Sequence, residues 1–342
     1  MIVVVKPGTP EGELERLVEF IQNQGYRTHL SRGVERTIVG IIGDEPLTLR
    51  DRLYGIRCVD EVIPILKPYK LVARAAKPSG TVFEVRGVTI GGSSIPVMAG
   101  PCTVENEQML LETARRVKAA GASILRGGAY KPSTSPYSFH GMGEDGLRIL
   151  AAARDETGLP VITEVMDTRD VELVARYADI LQVGTRNMAN FSLLREIGQS
   201  RLPVMLKRGW ASNIEEWLQA AEYLASGGDE KIILCERGIR TFEQATRNTF
   251  DINAIPVVKD LSHLPVIADP SHGTGRSALV PAVALAAIAA GADGLMIEVH
   301  PDPSKALKDG AQSLTFDAFE AMMADAAKVA EAVGRQLGGH AA

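Results

Sequence analysis

Eight short apolar runs, each ending in polar or charged residues, constrain this chain more than any other feature. In order they are PVMAGPC (96–102), SILRGG (123–128), PVITEVM (160–166), ILQVGT (180–185), PVMLKRG (203–209), KIILCERG (231–238), PVIADPSH (265–272) and GLMIEVH (294–300). A parallel strand buried on both faces reads as a continuous Val/Ile/Leu run. Between the runs lie segments with helical spacing and glycine stops, such as 105–121, 215–228 and 279–291. Strand, helix and short loop therefore alternate as an α/β chain, and eight such units close into a (β/α)8 barrel. In that architecture the chemistry sits where the strands end.

Residues 1–66 follow another pattern. IVVVK (2–6), YRTHLSR (26–32), RTIVGII (36–42) and EVIPIL (61–66) read as strands, with helices over 10–25 and 47–56. That βαββαβ order is the ferredoxin-like split motif. Residues 67–80, with two prolines, read as a linker, and 81–342 as the barrel with a leading hairpin around Arg86-Gly87.

The formal charge is −5, from 37 basic and 42 acidic residues, which favours neither nucleic acid nor an anionic membrane as partner. No apolar stretch is long enough to span a bilayer, and Met1–Lys6 lacks the cationic start of a signal peptide, so a cytoplasmic protein is expected. Three cysteines, Cys58, Cys102 and Cys235, are too few and odd in number for a disulfide framework. Against the acidic total, Arg126, Lys131, Arg186, Lys207, Arg208, Arg237, Arg240, His272 and Arg276 all fall at or beyond strand ends. Cations converging on one barrel face imply a substrate with several negative charges, phosphate and carboxylate foremost.

Cys102, His272 and Glu298 lie at the ends of the first, seventh and eighth strands, which are neighbours in a closed barrel, and Asp309 follows in a loop that can fold back. This S, N, O, O set suits Mn²⁺, Fe²⁺, Co²⁺ or Zn²⁺; the alternative is a buried thiol beside solvated acids. The loop 127–141 places Lys131 before Pro132 and the hydroxyls Ser133, Thr134 and Ser135, a composition that suits a phosphate but is also ordinary for loops. GTGRSA (273–278) lacks the GxxxxGK[ST] pattern of a nucleotide loop.

The combination of AGPC (99–102), LRGGAYKPSTSPYSF (125–139), QVGTRNMANF (182–191), LKRG (206–209), LCERGIRTFEQATRNT (234–249), DPSH (269–272) and EVHPDP (298–303) resembles 3-deoxy-D-arabino-heptulosonate 7-phosphate (DAHP) synthase. The likeness covers essentially the whole chain and is to the shorter branch with an N-terminal regulatory domain. It implies a transferase of the shikimate pathway that condenses phosphoenolpyruvate with erythrose 4-phosphate. It also implies a homotetramer inhibited by tyrosine or phenylalanine, with His29 and Ser31 as candidate regulatory contacts. Cys102, His272, Glu298 and Asp309 match the family's metal ligands. Arg126, Lys131, Arg186, Lys207 and Arg237 match its phosphoenolpyruvate positions, Lys131 lying also near the reacting aldehyde, and Glu164 is a candidate to hold the attacking water.

One departure stands out. The family reads Lys-Pro-Arg-Thr where this chain has Ser133 as the third residue, so the phosphate of erythrose 4-phosphate loses a cation that Arg276 is a candidate to replace. Two other readings remain at this stage. One is the sister enzyme 3-deoxy-D-manno-octulosonate 8-phosphate synthase, whose Lys-Ala-Asn-Arg-Ser loop is absent here; the other is an aromatic-amino-acid sensor with impaired catalysis.

Overall fold

Parity along the strands decides which residues this fold sends to its core and which to its mouth. The computed structural model describes residues 1–33, 36–42, 47–63, 68–132, 135–228 and 230–338, and it divides into two units, Met1–Pro68 and Tyr69–Ala342.

In the first unit, β1 (Ile2–Val5), β2 (Arg27–Arg32), β3 (Thr37–Ile42) and β4 (Val59–Ile63) form an antiparallel sheet in the order β2-β3-β1-β4. Helix α1 (Glu11–Asn23) buries Leu14, Leu17 and Ile21, the stripe expected of a helix lying on one sheet face. With α2 (Leu47–Tyr54) the order is βαββαβ, the ferredoxin-like domain expected from the sequence. Val3, Val5, Val39, Ile41, Leu53, Val62 and Cys58 complete its core. His29 and Ser31 are exposed on β2, which lies at the edge of the sheet, and their spacing puts them on one face.

The second unit opens with the stretch expected as a linker, and most of it is bound to the barrel. The N–H groups of Lys70, Leu71 and Val72 all donate to the Glu222 carboxylate, at 2.9, 2.9 and 3.0 Å, while Tyr69 and Val72 are buried. The partner that captures this stretch lies some 150 residues away, so its local composition gave no sign of it. β5 (Phe83–Val85) and β6 (Val88–Ile90) form the expected hairpin. Its two turn residues, Arg86 and Gly87, have φ of 48° and 82°, the double left-handed geometry that suits a two-residue hairpin loop.

After β7 (Ser94–Ile95) come the eight barrel strands: β8 (Val97–Gly100), β9 (Ile124–Arg126), β10 (Val161–Val165), β11 (Ile180–Val183), β12 (Val204–Lys207), β13 (Ile232–Glu236), β14 (Val266–Ala268) and β15 (Gly294–Glu298). Every neighbouring pair is parallel, and β15 pairs with β8 to close the ring. Each of the eight apolar runs has become one strand. Their outward residues, among them Val97, Leu125, Val161, Leu181, Val204, Leu234, Val266 and Leu295, pack with the surrounding helices. Their inward residues Met98, Ile124, Ile162, Ile180, Met205, Ile233, Ile267 and Met296 form a second cluster, which Val85, Val88 and Ile90 of the hairpin cap from below. That apolar floor makes the barrel a packed core, so only its upper end is left for ligands. Among the described residues no helix is long and apolar enough to cross a membrane.

Candidate active site

Two residues beyond the floor, on the same inward parity, the side chains change character. They are Arg126 at the end of β9, Glu164 on β10, Gln182 on β11, Lys207 at the end of β12, Cys235 on β13, Asp269 just past β14 and Glu298 at the end of β15, all buried. Above them opens a cavity of about 320 Å³ lined by Arg126, Lys131, Glu164, Gln182, Arg186, Lys207, Trp210, Arg237, Arg247, His272, Lys308 and Asp309, among others.

Of the nine cationic positions read from the sequence, Arg126, Lys131, Arg186, Lys207, Arg237 and His272 line this cavity. Parity explains one exception: Lys207 points inward, whereas its neighbour Arg208 pairs with Glu236 and Asp251, each at 2.9 Å. Arg240 lies over the Trp210 ring, 4.2 Å from its centroid. Arg276 is exposed and does not line the cavity; it follows Gly275, whose left-handed conformation ends the short helix Pro270–Thr274. Arg247, Lys308 and Trp210 line the cavity but were not singled out in the sequence. Ser133 and Thr134 lie outside the described residues.

Buried cations need partners, and here the supply is incomplete. Lys207 Nζ bonds Asp269 Oδ2 at 2.6 Å, and Arg126 Nη1 donates to Glu298 Oε1 at 3.1 Å and to the Pro101 carbonyl at 2.6 Å. Among the described residues, the Nε of Arg126 and the Nε of Arg237 are buried and donate to nothing. An unmade hydrogen bond on a buried polar group costs roughly 1–3 kcal/mol, so these donors mark where an anion would be received. Burial pushes the Arg237 guanidinium below its usual range. Burial alone would also lower Lys131, but the anionic groups beside it, Glu164 and Glu298 among them, act in the opposite direction and raise it.

Glu164 is held by its surroundings. Gln182 Nε2 reaches its Oε2 at 3.4 Å, and its Oε1 occupies the space that a side chain at position 184 would need. A Cβ on Gly184 would lie 1.9 Å from that oxygen, so any larger residue there would push the carboxylate off this position.

At the opposite side of the mouth, ligand atoms of Cys102, Glu298 and Asp309 all lie within 4.8 Å of one another. Cys102 Sγ donates to Asp309 Oδ2 at 3.2 Å. His272 adjoins them, with Nε2 3.5 Å from Glu298 Oε1. Its Nδ1 is 2.8 Å from Asp269 Oδ2 but poorly angled for a hydrogen bond. Asp269 also accepts the His272 backbone N–H at 3.0 Å, which places the ring. Burial and the neighbouring Glu298 drive the Cys102 thiol up to about 12. Burial opposes ionisation of Asp309, yet Arg247 and His272 hold its carboxyl down to about 2. A thiol, an imidazole and two carboxylates crowded in a desolvated corner form a donor set for a borderline divalent ion, so these residues fit a metal.

A closed (β/α)8 barrel with a cationic mouth and a mixed S, N, O donor set at its strand ends defines a class, the aldolase-type barrel enzymes. The chain belongs to the DAHP synthetase I family, which matches residues 72–334, and the DAHP synthase ferredoxin-like domain matches residues 1–67. It is 50% identical to the phospho-2-dehydro-3-deoxyheptonate aldolase of Thermotoga maritima, across 98% of this chain and 99% of the relative. The 2-dehydro-3-deoxyphosphooctonate aldolase of Syntrophotalea carbinolica is 36% identical over 69% of this chain and 91% of its own length. Among solved structures, the Thermotoga DAHP synthase superposes with a TM-score of 0.96 at 49% identity, covering 98% of both chains. A truncated form of the Thermotoga enzyme matches 79% of this chain and 99% of its own, with a TM-score of 0.74.

Proposed function

We propose that this protein is a metal-dependent DAHP synthase, condensing phosphoenolpyruvate with erythrose 4-phosphate and releasing phosphate. The observation that carries this reading is the pairing of unsatisfied buried guanidinium donors, on Arg126 and Arg237, with the thiol–carboxylate corner across one cavity. An enol phosphate carries both a phosphate and a carboxylate. Arg126, Arg186, Lys207 and Arg237 would bind those groups and stabilise the phosphate as it leaves.

A divalent ion bound by Cys102, His272, Glu298 and Asp309 would supply Lewis-acid polarisation of the sugar aldehyde. The C2=C3 π pair of phosphoenolpyruvate forms the new bond from carbon 3 to the aldehyde carbon as the aldehyde C=O π bond breaks, and that oxygen takes a proton for which Lys131, in the cavity lining, is the donor. Water adds at carbon 2, with Glu164 positioned to accept its proton. In the final step the C2–O bond to phosphate breaks, its electron pair leaving with the phosphate, and the C2 hydroxyl gives up its proton as the ketone forms.

The ferredoxin-like domain supports regulation by an aromatic amino acid, tyrosine or phenylalanine, with His29 and Ser31 as contacts in a homotetramer. Relatives named for the eight-carbon product match only about two thirds of this chain, which supports the seven-carbon reading over the sister activity. The test is phosphoenolpyruvate consumption with erythrose 4-phosphate and, separately, arabinose 5-phosphate, each with Mn²⁺ and with a chelator. Metal-dependent turnover of the four-carbon sugar is expected; preference for the five-carbon sugar, or no turnover of either, would reject the reading.

A further inference from the structure

We propose that Arg247, with Lys308 beside it, forms a second anion subsite at the cavity rim that receives the phosphate of the sugar acceptor. This deepens the reading of the reaction given above and rests on it. Apart from His272 of the donor set and Arg186, which is exposed after β11, the cations of the cavity fall into two groups. Arg126, Lys207 and Arg237 are buried at the strand ends, and Lys131 is buried in the loop after β9. Arg247 and Lys308 stand higher, in the loops after β13 and β15, and Arg247 has 40% of its side chain exposed.

Arg247 is nonetheless placed with care. Its N–H donates to the Thr274 carbonyl at 3.0 Å, and the N–H of Asn248 donates to the Gly273 carbonyl at 3.0 Å. Asn248 Nδ2 adds a bond to the His272 carbonyl at 2.8 Å. The loop is thereby sewn to the short helix that carries His272. The stem of Arg247 runs over Gly275, where a Cβ would lie 2.4 Å from that of Arg247, and where φ is +68°. Any other residue there would push the arginine off its path.

Only one guanidinium nitrogen is committed. Nη1 donates to Asp309 Oδ1 at 3.0 Å and to Gln312 Oε1 at 2.7 Å. Among the described residues Nε and Nη2 donate to nothing, so the Nε–Nη2 edge retains its donors for a phosphate. The location is right as well. Asp309 belongs to the donor set beside which the aldehyde would sit, and the guanidinium lies against it. The far end of a four-carbon sugar would then meet Arg247 and Lys308, leaving the buried cations to the enol phosphate.

The experiment compares kcat/KM for erythrose 4-phosphate and for erythrose, which lacks the phosphate, at saturating phosphoenolpyruvate, in the unmodified protein, Arg247→Gln and Arg247→Lys. Arg247→Gln is expected to lower the value for erythrose 4-phosphate roughly 10- to 100-fold, mainly through KM, and that for erythrose by less than about threefold. Arg247→Lys recovers part of the loss. An equal fall for both sugars, or weakened Mn²⁺ binding by calorimetric titration of Arg247→Gln, would make Arg247 a support for Asp309 and overturn the subsite. A raised KM for phosphoenolpyruvate alone would overturn it too. Failure of the unmodified protein to use erythrose 4-phosphate is a separate result, rejecting the reaction itself.

Discussion

Ile124, Ile162, Ile180, Met205, Ile233, Ile267 and Met296 fill the barrel floor, and two residues further along, in the same order, stand Arg126, Glu164, Gln182, Lys207, Cys235, Asp269 and Glu298. A strand rises about 3.3 Å per residue, so the two layers are roughly 6.6 Å apart. Over that distance a sealed apolar plug becomes a layer made mostly of buried charges, with Gln182 and Cys235 as its neutral members. Each desolvated charge costs several kcal/mol before its partners are counted. The stability that tolerates this comes from the floor, the hairpin beneath it and the outer helical shell. The binding and chemistry proposed above are concentrated in a layer that by itself destabilises the fold.

The contrast is open to attack from both sides. In the mouth, Lys131→Met is expected to lower kcat by roughly 10²- to 10⁴-fold, with no loss of thermal midpoint; activity lost only in proportion to folded protein would merge the two layers. In the floor, Ile180→Ala is expected to cost about 2–4 kcal/mol in denaturant unfolding while leaving both KM values unchanged. A shifted KM there would mean that the floor shapes the site directly. Removing residues 1–68 is expected to abolish inhibition by tyrosine or phenylalanine and retain turnover, and inhibition that survives would put the effector site on the barrel. The smallest effect concerns Trp210, whose ring has Arg186 at 4.7 Å and Arg240 at 4.2 Å from its centroid. Cation–π contacts of this kind contribute about 0.5–1 kcal/mol, so Trp210→Leu should raise the KM for phosphoenolpyruvate roughly two- to fivefold. An unchanged value would make the stack incidental.

The sequence announced the strands because each is buried on both faces, and a continuous apolar run has few other uses. It announced the hairpin through Arg86-Gly87, where local turn chemistry decides. Parity then separates neighbours that composition cannot, as with Lys207 and Arg208. What stayed hidden depends on distant partners. Lys70, Leu71 and Val72 look like a linker until Glu222 captures them. Arg276 looked like a compensating cation for Ser133, yet it is exposed and outside the cavity, whereas Arg247 reaches the site because Gly275 leaves its path clear. The sequence signal for Arg247 was present in the ATRNT stretch, but nothing local could say which of its side chains faces inward.

The most direct test is diffraction from crystals grown with Mn²⁺ and phosphoenolpyruvate, using anomalous scattering to find the ion. The account predicts one strong peak about 2.0–2.5 Å from Cys102 Sγ, His272 Nε2 and the carboxylates of Glu298 and Asp309, with the ligand's phosphate against the buried cations. A peak elsewhere, or a phosphate lying away from Arg126 and Arg237, would contradict it.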